Sequence, residues 1–350
     1  MELFSSLKVL DLSSVLAGPL CGSFFRELGA QVIKVENAKT GGDVTRTWKL
    51  ANEDSEQAHS SYYASANYDK QTLLLDFSDE EDFNTLIGQI KEADIIISNF
   101  RSSTEKKYGL SFESIKELNP NILMGKIIGY SSSPNKPAYD VALQAEAGYI
   151  SMCGTSDKQL AKIPVAMIDI LASHQLREGL LCALLLNQQS PQSSLVTVSL
   201  MDCALSGLIN QASAYLNSAS IAKPIGTQHP NIAPYGDLFV CKDHRKILFA
   251  IGSNAQWEKL CAYLKLSELA AELNSNQKRV LGRTKLVKQL QDKIEHISST
   301  KIIETCTELE IPIALVKKLD EALDSPDAQE LVLEDGFGKR ISSKCFQISS

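Results

Sequence analysis

No stretch of this chain approaches the ~20 consecutive apolar residues that a membrane helix needs. The opening MELFSSLKVLDL also lacks the basic n-region and small-residue cleavage site of a secretory signal. A basic excess is missing: 35 Lys and Arg stand against 42 Asp and Glu, a formal net charge of −7. A duplex-binding surface needs a basic balance or cluster, so neither nucleic acid nor membrane is expected as a partner. The eight cysteines (21, 153, 182, 203, 241, 261, 306, 345) form no CxxC pair, and most fall in apolar stretches such as GLLCALLL. They read as buried, reduced thiols, which points to a cytoplasmic location. Five histidines are present, none at ligand spacing from another His or Cys, so no metal is expected. Phosphate-binding and hydrolase signatures are absent too. The first strand–helix turn reads LAGPLCG where a dinucleotide fold needs GxGxxG, and there is no GxxxxGK[ST], GxSxG or HExxH.

What is present is an ordinary globular composition, 44% hydrophobic and 22% charged over 350 residues, long enough to bury roughly three quarters of the unfolded surface. Residues 7–12 (LKVLDL) read as a strand, 20–28 as a helix with Leu20, Phe24, Phe25 and Leu28 on one face, and 31–36 (QVIKVE) as a second strand. Two strands joined by a helix of that length make a right-handed βαβ unit. The alternation continues: strand 72–76, helix 80–93, strand 94–98, helix 112–118, strand 122–130. A long apolar helix then runs 169–186, followed by a strand at 195–200 and a helix at 201–216. The fold class is therefore α/β, with a Rossmann-like large domain on a parallel sheet. The stretch 217–234 turns Ser-, Pro- and Gly-rich, and a smaller α/β unit follows, with strands at 236–241, 246–251 and 311–316. The resulting division is 1–200 for the large domain, 201–224 as linker, 225–320 for the small domain and 321–350 as a C-terminal return.

Ordered blocks carry the functional reading. LKVLDLSSVLAGPLCGSFFRELGAQVIKVEN leads to GGDVTR (41–46), NYDKQTLLLD (67–76), ADIIISNFR (93–101), YGL (108–110) and YDVALQAEAG (139–148). The Asp169 helix, VTVSLMDCALSGLINQ (196–211) and HPNIAPYG (229–236) complete the set. In this order they resemble the family III CoA-transferases, the group of formyl-CoA transferase, carnitine CoA-transferase and α-methylacyl-CoA racemase. The resemblance implies transfer of coenzyme A between an acyl-CoA and a small carboxylic acid. An aspartate would attack the thioester to give a mixed anhydride, then an aspartyl-CoA thioester. Such chemistry suits a carboxylate, a nucleophile that becomes a leaving group once acylated. By position Asp169 matches that nucleophile; on its own context it reads equally as a first-turn acid favoured by the helix dipole.

By the same resemblance Val15, Leu16 and Ala17 lie beside the pantetheine, Asn99, Phe100, Lys107 and Tyr108 around the adenine and ribose phosphate, and Lys70, Ala138 and Tyr139 on further CoA contacts. Gly252, Ser253 and Asn254 (GSNAQ) match a substrate loop that covers the nucleophile from a partner subunit in an interlocked, ring-like homodimer. For the two lysines a plain surface role is the alternative, and for Phe100 a core role. Racemase members carry a His where Tyr139 stands, which disfavours α-proton exchange. Leu16 in place of a Gln, and GSNAQ in place of a glycine run, argue against an oxalate/formate specialist. The family continues beyond the point where this chain ends, so a CoA-binding homologue without turnover is a further alternative. His174, five residues past Asp169, reads as a packing or capping residue.

Overall fold

A computed structural model describes residues 3–349. They cluster into two compact units: one holds the residues up to Ile150, Lys162–Ala222 and those from Pro326 on, the other Ser151–Ala161 and Lys223–Ser325.

The first unit is built on six parallel strands: β1 (Lys8–Asp11), β2 (Gln31–Asn37), β3 (Gln71–Leu75), β4 (Ile95–Ser98), β5 (Leu123–Ile128) and β6 (Ser194–Ser199). Their order across the sheet is β3-β2-β1-β4-β5-β6. The chain therefore winds outward from β1 in one direction, then returns to start again at β4. Every residue of β4 is buried, as expected of a parallel strand covered on both faces. One face carries α1 (Ala17–Glu27) and a 23-residue helix, Met167–Gln189. Phe24 and Phe25 of α1, with Leu28 just after it, meet Ile95, Ile97, Leu176 and Leu180 in that core. The other face packs Leu86 and Ile90 of α2 (Glu80–Glu92) with Leu10, Ile96 and Met124. Two further helices are α3 (Asp140–Glu146) and α4, the 23-residue Met167–Gln189. Gly179 lets α4 lie close on the sheet: a Cβ there would sit 2.5 Å from Val196 Cγ1.

The second unit has an antiparallel sheet of β7 (Tyr235–Val240), β8 (Lys246–Ala250) and β9 (Ile313–Leu315), with β8 central. Trp257, Phe239, Phe249, Leu286, Leu290 and Ile302 form its core.

The parallel α/β architecture expected from the alternating pattern is present, and two local readings need correction. The helix expected over 201–216 is present in two pieces, Leu200–Ser206 and Ile209–Ser218, which take up most of the range given as linker. The break falls at residues 207–208, where Ile209 turns to φ +32° and Tyr149 Oη donates to the Ala204 carbonyl at 2.9 Å. A C-terminal hairpin, Val332–Asp335 with Gly338–Ile341, has no counterpart in the sequence reading. Arg340 pairs with Glu27 of α1, both buried, and Phe337 packs edge-on against Tyr63. All eight cysteines are free, five of them buried. No helix among the described residues is long and apolar enough to cross a membrane.

Candidate active site

In an open parallel sheet, ligands bind outside the carboxyl ends of the strands where the winding reverses. Here that point is the gap between β1 and β4. The loops leaving both strands meet there: Asn99 accepts from the Ser14 N–H at 3.1 Å and donates to the Ser14 carbonyl at 2.9 Å. Two cavities flank this staple and share Ser14 and Phe100. The first, about 210 Å³, is lined by Val15, Leu16, Ala17, Asn99, Ala138, Tyr139 and Asp169 among others. The second, about 520 Å³, is lined by Gly41, Gly42, Asp43, Phe77, Thr104 and Tyr108 among others.

The wall between β1 and α1 is shaped by an unusual backbone. Val15 adopts φ +73°, a region costly for a β-branched residue, on the order of 1–3 kcal/mol. Its N–H donates to the Asp43 carboxylate, 3.1 Å to Oδ2. Asp43 in turn accepts from the Thr45 N–H and hydroxyl and pairs with buried Lys34 at 3.2 Å. Lys34 also donates to the Ser13 carbonyl at 2.7 Å. Gly18 is required one turn on, because a Cβ there would lie 2.2 Å from Ser13 Oγ. α1 begins at Ala17 with no side-chain cap, so its first-turn N–H groups and the positive end of its dipole are available to an anion.

Asp169 is the third residue of α4, buried to 9% exposure, and among the described residues its carboxylate accepts no hydrogen bond. The helix end that carries it has no cap of its own. Asp140, at the start of α3, supplies one from outside: its Oδ2 accepts from the Ile168 N–H at 2.8 Å. Gln144 steadies Asp140 through Oδ1 and accepts from the Ile163 N–H at 2.8 Å, so α3 fixes both the approach to α4 and its first turn. Burial, with the Asp140 carboxylate adding to it, pushes the Asp169 carboxyl up to about 7. A carboxyl raised by desolvation in a cavity, with a named charge partner, marks a candidate functional group.

Of the residues singled out from sequence, Val15, Leu16, Ala17, Asn99, Phe100, Ala138, Tyr139 and Asp169 line one cavity. Tyr108 lies on the second, with the Lys107 ammonium 4.7 Å above its ring. Lys70 is a correction. It is buried, with Nζ on Asp11 Oδ2 (2.8 Å) and the Pro19 and Ala66 carbonyls, and it lines neither cavity. Its four-residue loop spacing resembles a ligand contact, but its partner is a carboxylate buried at the end of β1. Gly252, Ser253 and Asn254 belong to the second unit. There Ser253 caps Asn254–Tyr263, and Asn254 accepts from Arg279 at 3.0 Å. His174 contacts Arg177 and does not line the cavity.

Two contributors escaped the sequence reading. Arg101 lines the Asp169 cavity and makes no ion pair among the described residues; its place directly after Phe100, at the end of a central strand, was the available signal. The capping role of Asp140 had none, since it depends on a helix 28 residues away.

The model for CoA-transferase family III matches residues 4–334. A succinate–glutarate CoA-transferase of Agrobacterium fabrum is 29% identical over 346 residues, 95% of this chain and 86% of its own. A succinyl-CoA:mesaconate CoA-transferase of Haloarcula hispanica is 27% identical, covering 93% of this chain and 83% of that protein. Among solved structures, a CAIB/BAIF family protein from Brucella suis superposes with a TM-score of 0.86 at 28% identity, over 98% of this chain and 92% of that one.

Proposed function

Because the chain belongs to CoA-transferase family III, we propose that it moves coenzyme A between an acyl-CoA thioester and a carboxylic acid, with Asp169 as the covalent centre. One observation carries this reading: a buried carboxyl with no hydrogen-bond partner shares a switch-point cavity with the uncapped start of α1.

In the forward half-reaction an Asp169 oxygen attacks the thioester carbonyl. The C–S bond breaks, leaving an acyl–aspartyl anhydride and a CoA thiolate. The thiolate then attacks the Asp169 carbonyl, expelling the first acid as its carboxylate and leaving an aspartyl-CoA thioester. The second acid reverses the sequence, so two acids exchange one thioester and the carboxyl is regenerated. The raised affinity of Asp169 for a proton makes its anion a stronger nucleophile than an ordinary aspartate near neutral pH. First-turn N–H groups of α1 would stabilise the oxyanions, each such donor being worth about 3 kcal/mol by precedent. The Phe77–Phe100–Tyr108 side of the second cavity would take the adenine, and Arg101 and Lys107 the phosphates.

Tyr139, with no histidine on this cavity, favours anhydride transfer over proton exchange at an α-carbon. Since the named relatives handle succinyl-CoA, glutarate or mesaconate, short dicarboxylic acids are the first acids to test. A reducing cytoplasm suits eight unpaired thiols. The test is acyl exchange read by mass over a panel of acyl-CoAs and acids. Exchange by the wild-type protein and none by Asp169→Asn is expected; unimpaired exchange by the variant would sink the assignment.

A further inference from the structure

We infer that Asp43 is a positioning residue for this reaction: by holding the Val15 N–H it sets the backbone that opens α1 onto the Asp169 cavity. The inference rests on the transferase reading above and adds to it a residue that never touches the reacting atoms.

Residues 13–15 are held at each step. Lys34 takes the Ser13 carbonyl, Asn99 takes both backbone groups of Ser14, and Asp43 takes the Val15 N–H. Only the last of these acts on a residue in the left-handed region, φ +73°. A valine reverts from that region unless its surroundings hold it there. The Asp43 carboxylate is suited to the task because it is buried and fully used. Oδ1 serves the Thr45 N–H at 3.0 Å and the Thr45 hydroxyl at 2.8 Å, while Oδ2 serves Val15 at 3.1 Å and Lys34 at 3.2 Å. Its own N–H is tied to Glu36 Oε2 at 2.9 Å, and Glu36 is gripped by Arg46 and the Tyr63 hydroxyl. Asp43 also lines the second cavity. One side chain thus couples the shape of both cavities to a rigid ionic cluster beneath them.

Asparagine at 43 cannot reproduce this. Its carboxamide can serve Thr45 through oxygen, but then turns an NH2 toward the Val15 N–H and the Lys34 ammonium, donor against donor. Asp43→Asn is therefore expected to lower kcat roughly ten- to hundredfold, the usual cost of a ~1 Å misplacement. KM for the acyl-CoA should change by less than kcat, since the main loss is of alignment at the Val15 backbone. Glycine adopts φ +73° without an anchor. In a Val15→Gly background the same Asp43→Asn change should therefore alter kcat by less than about threefold, a non-additive cycle. An equal fall in both backgrounds, or no fall in either, overturns the inference. A crystal structure of Asp43→Asn gives a second readout that needs no activity: Val15 at negative φ supports the inference, and Val15 still at φ +73° overturns it. Should that variant not fold, Thr45→Val, which removes one of the two Thr45 donors that orient Oδ1 of Asp43, is read by the same two measurements, with a smaller fall in kcat expected and an unchanged kcat overturning the inference. The transferase reading fails separately, on Asp169→Asn retaining exchange.

Discussion

Burial and the neighbouring Asp140 carboxylate lift the Asp169 carboxyl from 3.8 to about 7, and the shift has a sign. Between those values the folded protein holds a proton that the unfolded chain has released, so stability falls as pH rises from about 4 to about 7. Above pH 7 the ionised, desolvated group costs on the order of 4 kcal/mol. Asp169→Asn should therefore raise the Tm at pH 8 and leave it nearly unchanged at pH 4; equal changes at both pH values would refute this. Activity depends on the ionised form, so kcat/KM should fall as pH drops through about 7. Asp140→Asn keeps an acceptor for the Ile168 N–H but removes the charge, and should move that acid limb to lower pH. The nearby Tyr62 phenol, pushed up to about 12 by burial and by the Asp169, Asp140 and Asp43 carboxylates, stays neutral throughout. A limb that does not move would assign the shift to burial alone. At this scale the sequence marked candidate groups but not how they pair. Asp169, Val15 and Asn99 could be picked out from ordered motifs, whereas the ion pair that buries Lys70 joins residues 59 apart.

The strands and helices that place these side chains were largely legible. β1 to β6 fall within a residue or two of their apolar runs; the central β4, buried on both faces, is the most apolar of them. What failed were elements tied to tertiary contacts: the break at residues 207–208, where Tyr149 meets the Ala204 carbonyl, and the 332–341 hairpin, which rests on Glu27 and Tyr63, residues distant in the chain. Gly179 shows how closely α4 depends on the sheet. It lies ten residues past Asp169, about 15 Å along the helix. A methyl there meets Val196 at 2.5 Å. Gly179→Ala should cost about 1–3 kcal/mol by overpacking in spite of alanine's better helix propensity, and urea unfolding measures it. A stabilised variant would mean that α4 has room to lift.

For the whole molecule, the first unit exposes large apolar side chains at Leu185, Leu186, Leu205, Ile209, Leu216 and Ile221. Taken with the interlocked pair that the sequence resemblance implies, this makes a homodimer the proposal to check by sedimentation equilibrium; a monomer mass at micromolar concentration would count against it. The polar stretch at 217–234 suggested where a second unit begins, and a helix was expected over 201–216, but its division into Leu200–Ser206 and Ile209–Ser218 was not. The proposed chemistry itself requires Asp169 to carry CoA covalently. Incubating the protein with an acyl-CoA and hydroxylamine, then mapping peptides by mass, tests that most directly. A hydroxamate confined to Asp169, absent without acyl-CoA, is expected; exchange proceeding with Asp169 unmodified would contradict the account.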